Sequence, residues 1–134
     1  MSNQGAQSGK NGIKLHDACL AYFAQKGIKA VKEHKTGIRN ALSPKSELRC
    51  DIYLPDSDVI VECKAHSGQP GTIYQKIPHS FMTYADCVKP IIFILGAGFR
   101  KFPSQIEAVK RAASLTAANI TIILEDELDT GCWA

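Results

Sequence analysis

No apolar run in this chain is longer than Pro90–Leu95 (PIIFIL), far short of the roughly 20 residues a membrane-crossing helix needs. A membrane role is therefore not indicated. Cysteines are few and poorly arranged for stapling. Cys19, Cys50, Cys63, Cys87 and Cys132 are odd in number, contain no CxxC pair and follow no signal-peptide pattern. That argues against a secreted disulfide framework, and reduced thiols in a cytoplasm are expected. The wide spacing and the absence of a His pair also argue against zinc, leaving buried structural cysteines as the expectation. Nor is there a large excess of one charge. A net charge of +3 and a pI near 8.6 suit a polyanionic partner, yet fall well short of a pure electrostatic DNA coater.

What is present fits one domain. The 134 residues, 45% apolar and 22% charged, are enough to bury a core without disulfides, and composition does not separate an enzyme from a binding module. Charge distribution says more than the total. Lys26, Lys29, Lys32, Lys35, Arg39, Lys45 and Arg49 crowd one window, while Glu125, Asp126, Glu127 and Asp129 form an acidic tip. A solvated lysine-rich surface accounts for such a window equally well.

Residues 1–12, rich in Ser, Asn, Gln and Gly, read as a flexible leader. From Ile13 to Gln25 the apolar residues Leu15, Cys19, Leu20, Tyr22 and Phe23 share a helical face, and Gly27 supplies the stop. Alternation from Ile28 to Glu33 suggests a strand. Residues 49–54 (RCDIYL) and 58–64 (DVIVECK) read as a hairpin across Pro55-Asp56-Ser57-Asp58. A glycine-rich loop (Ser67–Gly71) leads into a helix between Thr72 and Cys87, in which Pro78 must sit at a first turn or force a kink. Pro90–Leu95 reads as a strand buried on both faces. Ser104-Gln105-Ile106-Glu107 is a capping box opening a helix to about Ala118, with Ile106, Val109, Ala113 and Leu115 as core positions. Asn119–Leu124 reads as a last strand. The order α, β, β, β, α, β, α, β predicts a mixed central sheet flanked by helices, an α/β fold.

The hairpin carries the chemistry. A period of two puts Ile60, Glu62 and Lys64 on one face and Val59, Val61 and Cys63 on the other. On the preceding strand Asp51 and Tyr53 share a face opposed to Cys50, Ile52 and Leu54. A two-residue turn at Asp56-Ser57 pairs residues whose numbers sum to 113, setting Asp51 opposite Glu62. Opposed carboxylates repel, so something must offset the repulsion. A hard cation does so: Mg²⁺ takes one or two carboxylates plus waters and phosphate oxygens, and the Cys63 carbonyl can add a ligand. Lys64 then stands beside the metal, placed to orient or deprotonate a water or to stabilise charge on a phosphate. The competing reading is an ordinary exposed hairpin, and a slip of one residue would move Asp51 to the other face.

Asp51, ten intervening residues and then Glu62-Cys63-Lys64 at the end of an apolar strand resemble the PD-(D/E)xK nuclease superfamily. The context Val59-Ile60-Val61-Glu62-Cys63-Lys64-Ala65, with Gly71-Thr72 and Gln75-Lys76-Ile77-Pro78, is similar to stretches of some restriction endonucleases. The likeness spans most of the chain, matching the αβββαβ core in order, with an αβ unit appended. Cys50 stands where the family's nominal proline would be, and the first helix lacks a well-placed glutamate, leaving Asp17 as its one candidate acid.

The resemblance implies a restriction-endonuclease-like fold over residues 13–134 and metal-dependent hydrolysis of DNA phosphodiester bonds, of restriction, nicking or homing type. Asp51 and Glu62 would hold Mg²⁺, with Mn²⁺ substituting, and Lys64 would be the catalytic lysine. Gln75 and Lys76 would lie near the scissile phosphate, with His79 as a candidate proton shuttle. Lys35, Arg39, Lys45 and Arg49 would neutralise DNA phosphates. Cutting both strands calls for a homodimer, a second subunit or sequential nicks. The expected setting is the cytoplasm of a bacterium, or a phage or other mobile element. A Holliday-junction resolvase and a non-catalytic nucleic-acid-binding module on the same fold are the alternatives.

Overall fold

The computed structural model describes residues 4–66, 70–131 and 133, without the side chains of 4–11 and 70–73. Residues 1–3 of the expected leader, 67–69 of the expected glycine-rich loop, Cys132 and Ala134 lie outside the described residues, as does the side chain of Thr72. The elements are α1 (Gln4–Gln25), β1 (Val31–Asn40), β2 (Ser43–Leu54), β3 (Val59–Lys64), α2 (Pro70–Thr83), β4 (Ile91–Leu95), α3 (Pro103–Ser114) and β5 (Ile120–Leu124). Their order is the one the sequence predicts. The chain is an α/β protein with one five-stranded mixed sheet in the order β1-β2-β3-β4-β5.

The first three strands form an antiparallel meander, whereas β3, β4 and β5 run parallel. Parallel neighbours need a crossover, and α2 and α3 supply the two. Both helices cover one face: Ile77 and Phe81 of α2 and Ile106, Val109 and Ala113 of α3 pack with Ile60, Phe93 and Leu95. Helix α1 covers the other face, where Leu15, Cys19 and Phe23 pack on Ile52, Leu54, Val61, Ile92 and Ile94. Strand β4 lies between the two layers with all five residues buried, as its unbroken apolar run requires.

Several boundaries differ from the sequence reading. Helix α1 begins at Gln4 rather than Ile13, because its early turns have no apolar periodicity to announce them. It ends as expected at Gly27, whose φ is +69°. The Ile28 N–H bonds the Phe23 carbonyl at 2.8 Å and the Gly27 N–H bonds that of Ala24 at 3.2 Å, a Schellman cap. Strand β1 runs over 31–40 and β2 starts at Ser43, so the basic window is a long β-ribbon, not a short strand and a loop. Thr36-Gly37 does not interrupt the ribbon. Gly37 instead takes φ +75° within a stretch where the register shifts between Lys35 and Arg39, a bulge that lets pairing resume.

Helix α2 ends at Thr83, not Cys87, and holds Pro78 in its interior, where the proline ring withholds a bond from the Tyr74 carbonyl. Helix α3 has Pro103 in its first turn and no side-chain cap, so the Ser104–Glu107 capping box is not formed. Leu115 lies past its end and is 70% exposed, whereas Ile106, Val109 and Ala113 are buried as expected. Among the described residues no helix is long and apolar enough to cross a membrane.

Phe93 anchors the α2 layer edge-on to Phe81 at 4.8 Å and Tyr84 at 6.4 Å between ring centroids. Phe93→Ala should cost about 3–5 kcal/mol through lost burial and the cavity left behind. Urea unfolding would check this, and a change below about 1 kcal/mol would show that the layer collapses around the gap.

Candidate functional site

The β2–β3 ladder pairs Ile52 with Val61, Tyr53 with Ile60 and Leu54 with Val59. Each sum is 113, the register that opposes Asp51 and Glu62. The connection is four residues, Pro55–Asp58, rather than two, with Asp58 at φ +57°. Regular pairing stops at Asp51. In β3 the even residues bond toward β4, as in Ile60 N–H to the Pro90 carbonyl and Gly96 N–H to the Lys64 carbonyl, so the odd residues face β2. The Cys63 N–H is taken by the Asp51 side chain, Oδ2 accepting it at 2.8 Å. A carboxylate thus stands where a ladder carbonyl would.

This break changes which way the neighbours point. Ile52 and Leu54 pack under α1, but Cys50 packs with Ile60 under α2, so the expected common face of Cys50, Ile52 and Leu54 is not formed. Nor does Asp51 share the surroundings of Tyr53, which packs against the α2 layer. Asp51 Oδ1 lies 3.8 Å from Nε2 of His16 on α1. Asp51 stands opposite Glu33, which itself has φ +51°.

On β3 the faces are as expected. Val59, Val61 and Cys63 turn toward α1. Glu62 is only 8% exposed and turns toward α2, where its Oε1 accepts the Tyr84 hydroxyl proton at 2.5 Å. Burial, and after it the charge of Asp51 and a hydrogen bond with it, push the Glu62 carboxyl up to about 8. The Tyr84 bond and the Lys64 charge pull it down, but by less. Burial and the adjoining Glu62 charge also raise the Tyr84 phenol. Two carboxyls held together in a part-buried setting, one resisting ionisation, make an oxygen donor pair of the kind a hard divalent cation takes.

Lys64 ends β3 beside Leu95 of β4. With Gln75, Lys76, His79 and Ser80 of α2 it lines an open cleft of about 480 Å³. The structure therefore brings Lys64, Gln75, Lys76 and His79 together, with the α2 residues exposed toward solvent. The basic ribbon is more dispersed. Lys35 stands directly across from Arg49, two residues from Asp51, whereas Arg39 faces Glu47. Lys45 lies six residues up the strand from Asp51, about 20 Å away at strand rise. Of the four, only Lys35 and Arg49 adjoin the carboxylates.

Asp17 is exposed, and the α1 residue that faces the site is His16. Tyr84 was likewise not apparent in the sequence, because no motif marks a residue just past a helix end. The acidic tip is engaged locally: Asp126 binds Arg100 through two bonds of 2.6 and 3.0 Å, and Glu125 accepts the Ala97 N–H. Cys19, Cys50, Cys63 and Cys87 are all free thiols. Comparison of the chain with protein-family models, with curated proteins and with solved structures finds no match.

Proposed function

We propose that this protein is a divalent-metal-dependent endonuclease that hydrolyses DNA phosphodiester bonds, built on a restriction-endonuclease-like core. The observation that carries the reading is the abutment of Asp51 and Glu62 across the β2–β3 break, with Lys64 one alternation further along the Glu62 face and open to a cleft. A purely structural sheet gains nothing from two adjoining carboxyls, one of them buried. The order of elements, αβββαβ with a further αβ unit, agrees with the resemblance in sequence.

Asp51 and Glu62 would hold the cation, with the Cys63 carbonyl directed to the same edge of β3. The donor set fits Mg²⁺ or Mn²⁺ in being all oxygen. When bound, such an ion supplies Lewis acidity and lowers the pKa of water. The protein's own groups do the rest. Tyr84 fixes the Glu62 carboxyl through Oε1, leaving Oε2 for the ion. Lys64 presents a cation where negative charge builds on the phosphate. Gln75 and Lys76 orient the strand being cut, and His79 is within the same cleft to take or give a proton.

Lys35 and Arg49 would neutralise backbone phosphates beside the scissile bond. Their direct opposition is unfavourable in the free protein and is relieved by a polyanion. Lys35→Gln/Arg49→Gln should lower the slope of log K against log salt by about 2, at roughly 0.9 for each phosphate no longer neutralised, with stability unchanged or raised. An unaltered slope in fluorescence-anisotropy titrations would exclude these two residues from the DNA interface.

The test of the function is incubation with supercoiled plasmid in Mg²⁺ and in EDTA, beside Glu62→Ala. Metal-dependent nicked or linear product that disappears in the variant supports the reading. DNA binding without any cutting, on plain or branched substrates, would replace it with a binding module.

A further inference from the structure

A second set of donors lies on the opposite side of β3 from Glu62 and Lys64. His16 and Cys19, three apart, share a face of α1, and that face meets Cys63. The Nε2 of His16 is buried and makes no hydrogen bond, standing 3.8 Å from Asp51 Oδ1. The donor atoms of His16, Asp51 and Cys63 all lie within 4.8 Å of one another. The Sγ of Cys63 is in turn 3.8 Å from that of Cys19.

This set differs in kind from the Asp51–Glu62 pair. One imidazole nitrogen, one carboxylate oxygen and one or two thiol sulfurs are what a borderline-soft, tetrahedral cation takes, and Mg²⁺ does not. At bond lengths of about 2.3 Å to sulfur and 2.0–2.2 Å to nitrogen and oxygen, tetrahedral ligands lie roughly 3.3–3.8 Å apart. The Cys19–Cys63 spacing already matches, and the wider three-donor set needs a closure of about 1 Å, within reach of side-chain rotation. A buried imidazole nitrogen without a partner costs free energy unless something binds it.

We infer that His16, Asp51 and Cys63, with Cys19 as a further thiol beside Cys63, form a binding site for a Zn²⁺-class cation between α1 and β3. The wide spacing of these cysteines in sequence conceals the site, since its ligands come from three elements. Because Asp51 belongs to both sets, occupancy of this site withdraws a ligand from the Mg²⁺ pair. Zn²⁺ is then an inhibitor of cleavage, a consequence that rests on the function proposed above, whereas the binding itself does not.

The experiment is Co²⁺ titration of the full chain, reduced and metal-free, followed by absorption. One equivalent should produce the thiolate-to-cobalt charge-transfer band and the visible bands of tetrahedral Co²⁺. Zn²⁺ should erase them and excess Mg²⁺ should not. Cys63→Ser should weaken the charge-transfer band, and Cys19→Ser/Cys63→Ser should abolish it. His16→Ala, at the edge of solvent and safer for folding, should weaken binding by at least the roughly 10–100-fold that loss of an outer-sphere partner costs at a metal site. Absence of the band at stoichiometric Co²⁺, or its persistence unchanged in these variants, overturns the site. Because no cleavage is measured, either result leaves the nuclease reading to its own test.

Discussion

Lys64→Ala is expected to lower plasmid cleavage by about 10²–10³-fold or more, the usual cost of removing one preorganised group that stabilises transition-state charge. The variant should fold and bind DNA nearly as well as the wild type. Lys64 is the last residue of β3, half-buried at the mouth of the cleft and outside both apolar clusters, so truncation removes a charge without opening the core. Asp51 and Glu62 are untouched, and metal affinity should persist. Lys76→Ala, on the exposed surface of α2 across the same cleft, should instead weaken substrate binding by a small factor. The contrast between the two is the diagnostic readout. Equal losses would mean that Lys64 only contributes to the general positive field, and normal cutting by Lys64→Ala would remove it from the chemistry.

The central half of the fold could be read from the sequence because two periodicities there are unambiguous. Pro90–Leu95 has no polar break and became the buried strand β4, and alternation through Val59–Lys64 gave the two faces of β3 correctly. The ends of elements were harder. The early turns of α1 lack an apolar stripe, and the β1–β2 ribbon has one edge strand and a bulge. Its pairing depends on cross-strand partners rather than on its own pattern. Leu115 looked like core because it follows Ile106 and Val109, but the helix stops one residue before it.

In the candidate site, register arithmetic alone sufficed to oppose Asp51 and Glu62. It could not foresee that pairing stops there, with Asp51 taking a backbone N–H and turning Cys50 and Ile52 toward different layers. Long-range partners were also hidden. His16, Cys19 and Tyr84 reach the site from other elements, and no local spacing encodes which residue of a helix faces a strand far away in the chain. Asp17 was chosen for its chemistry, but the phase of α1 puts its neighbour His16 inside instead.

The ionisation of Glu62 provides the second large test. Unfolded, its carboxyl has the ordinary value near 4.5, whereas in the folded protein burial and Asp51 raise it to about 8. Below about pH 4.5 both states hold the proton and this group adds no pH dependence. Between about 4.5 and 8 the unfolded chain releases a proton that the folded one keeps, so stability falls as pH rises; above about 8 the loss is complete. In EDTA the wild type should therefore melt lower at about pH 8.5 than at about pH 5, relative to Glu62→Gln, whose amide can still accept the Tyr84 hydroxyl. Mg²⁺ should narrow that gap, because a cation binds the ionised pair and competes with its proton. At about ten times its Kd the ion adds roughly 1.4 kcal/mol, a rise of about 5 °C for a chain of this size. That rise should be large at high pH, small near pH 5 and missing in Glu62→Gln. Were Mg²⁺ to raise both proteins equally, or neither, Asp51 and Glu62 would be a strained structural pair rather than a place for an ion, and the hydrolytic reading would lose its foundation.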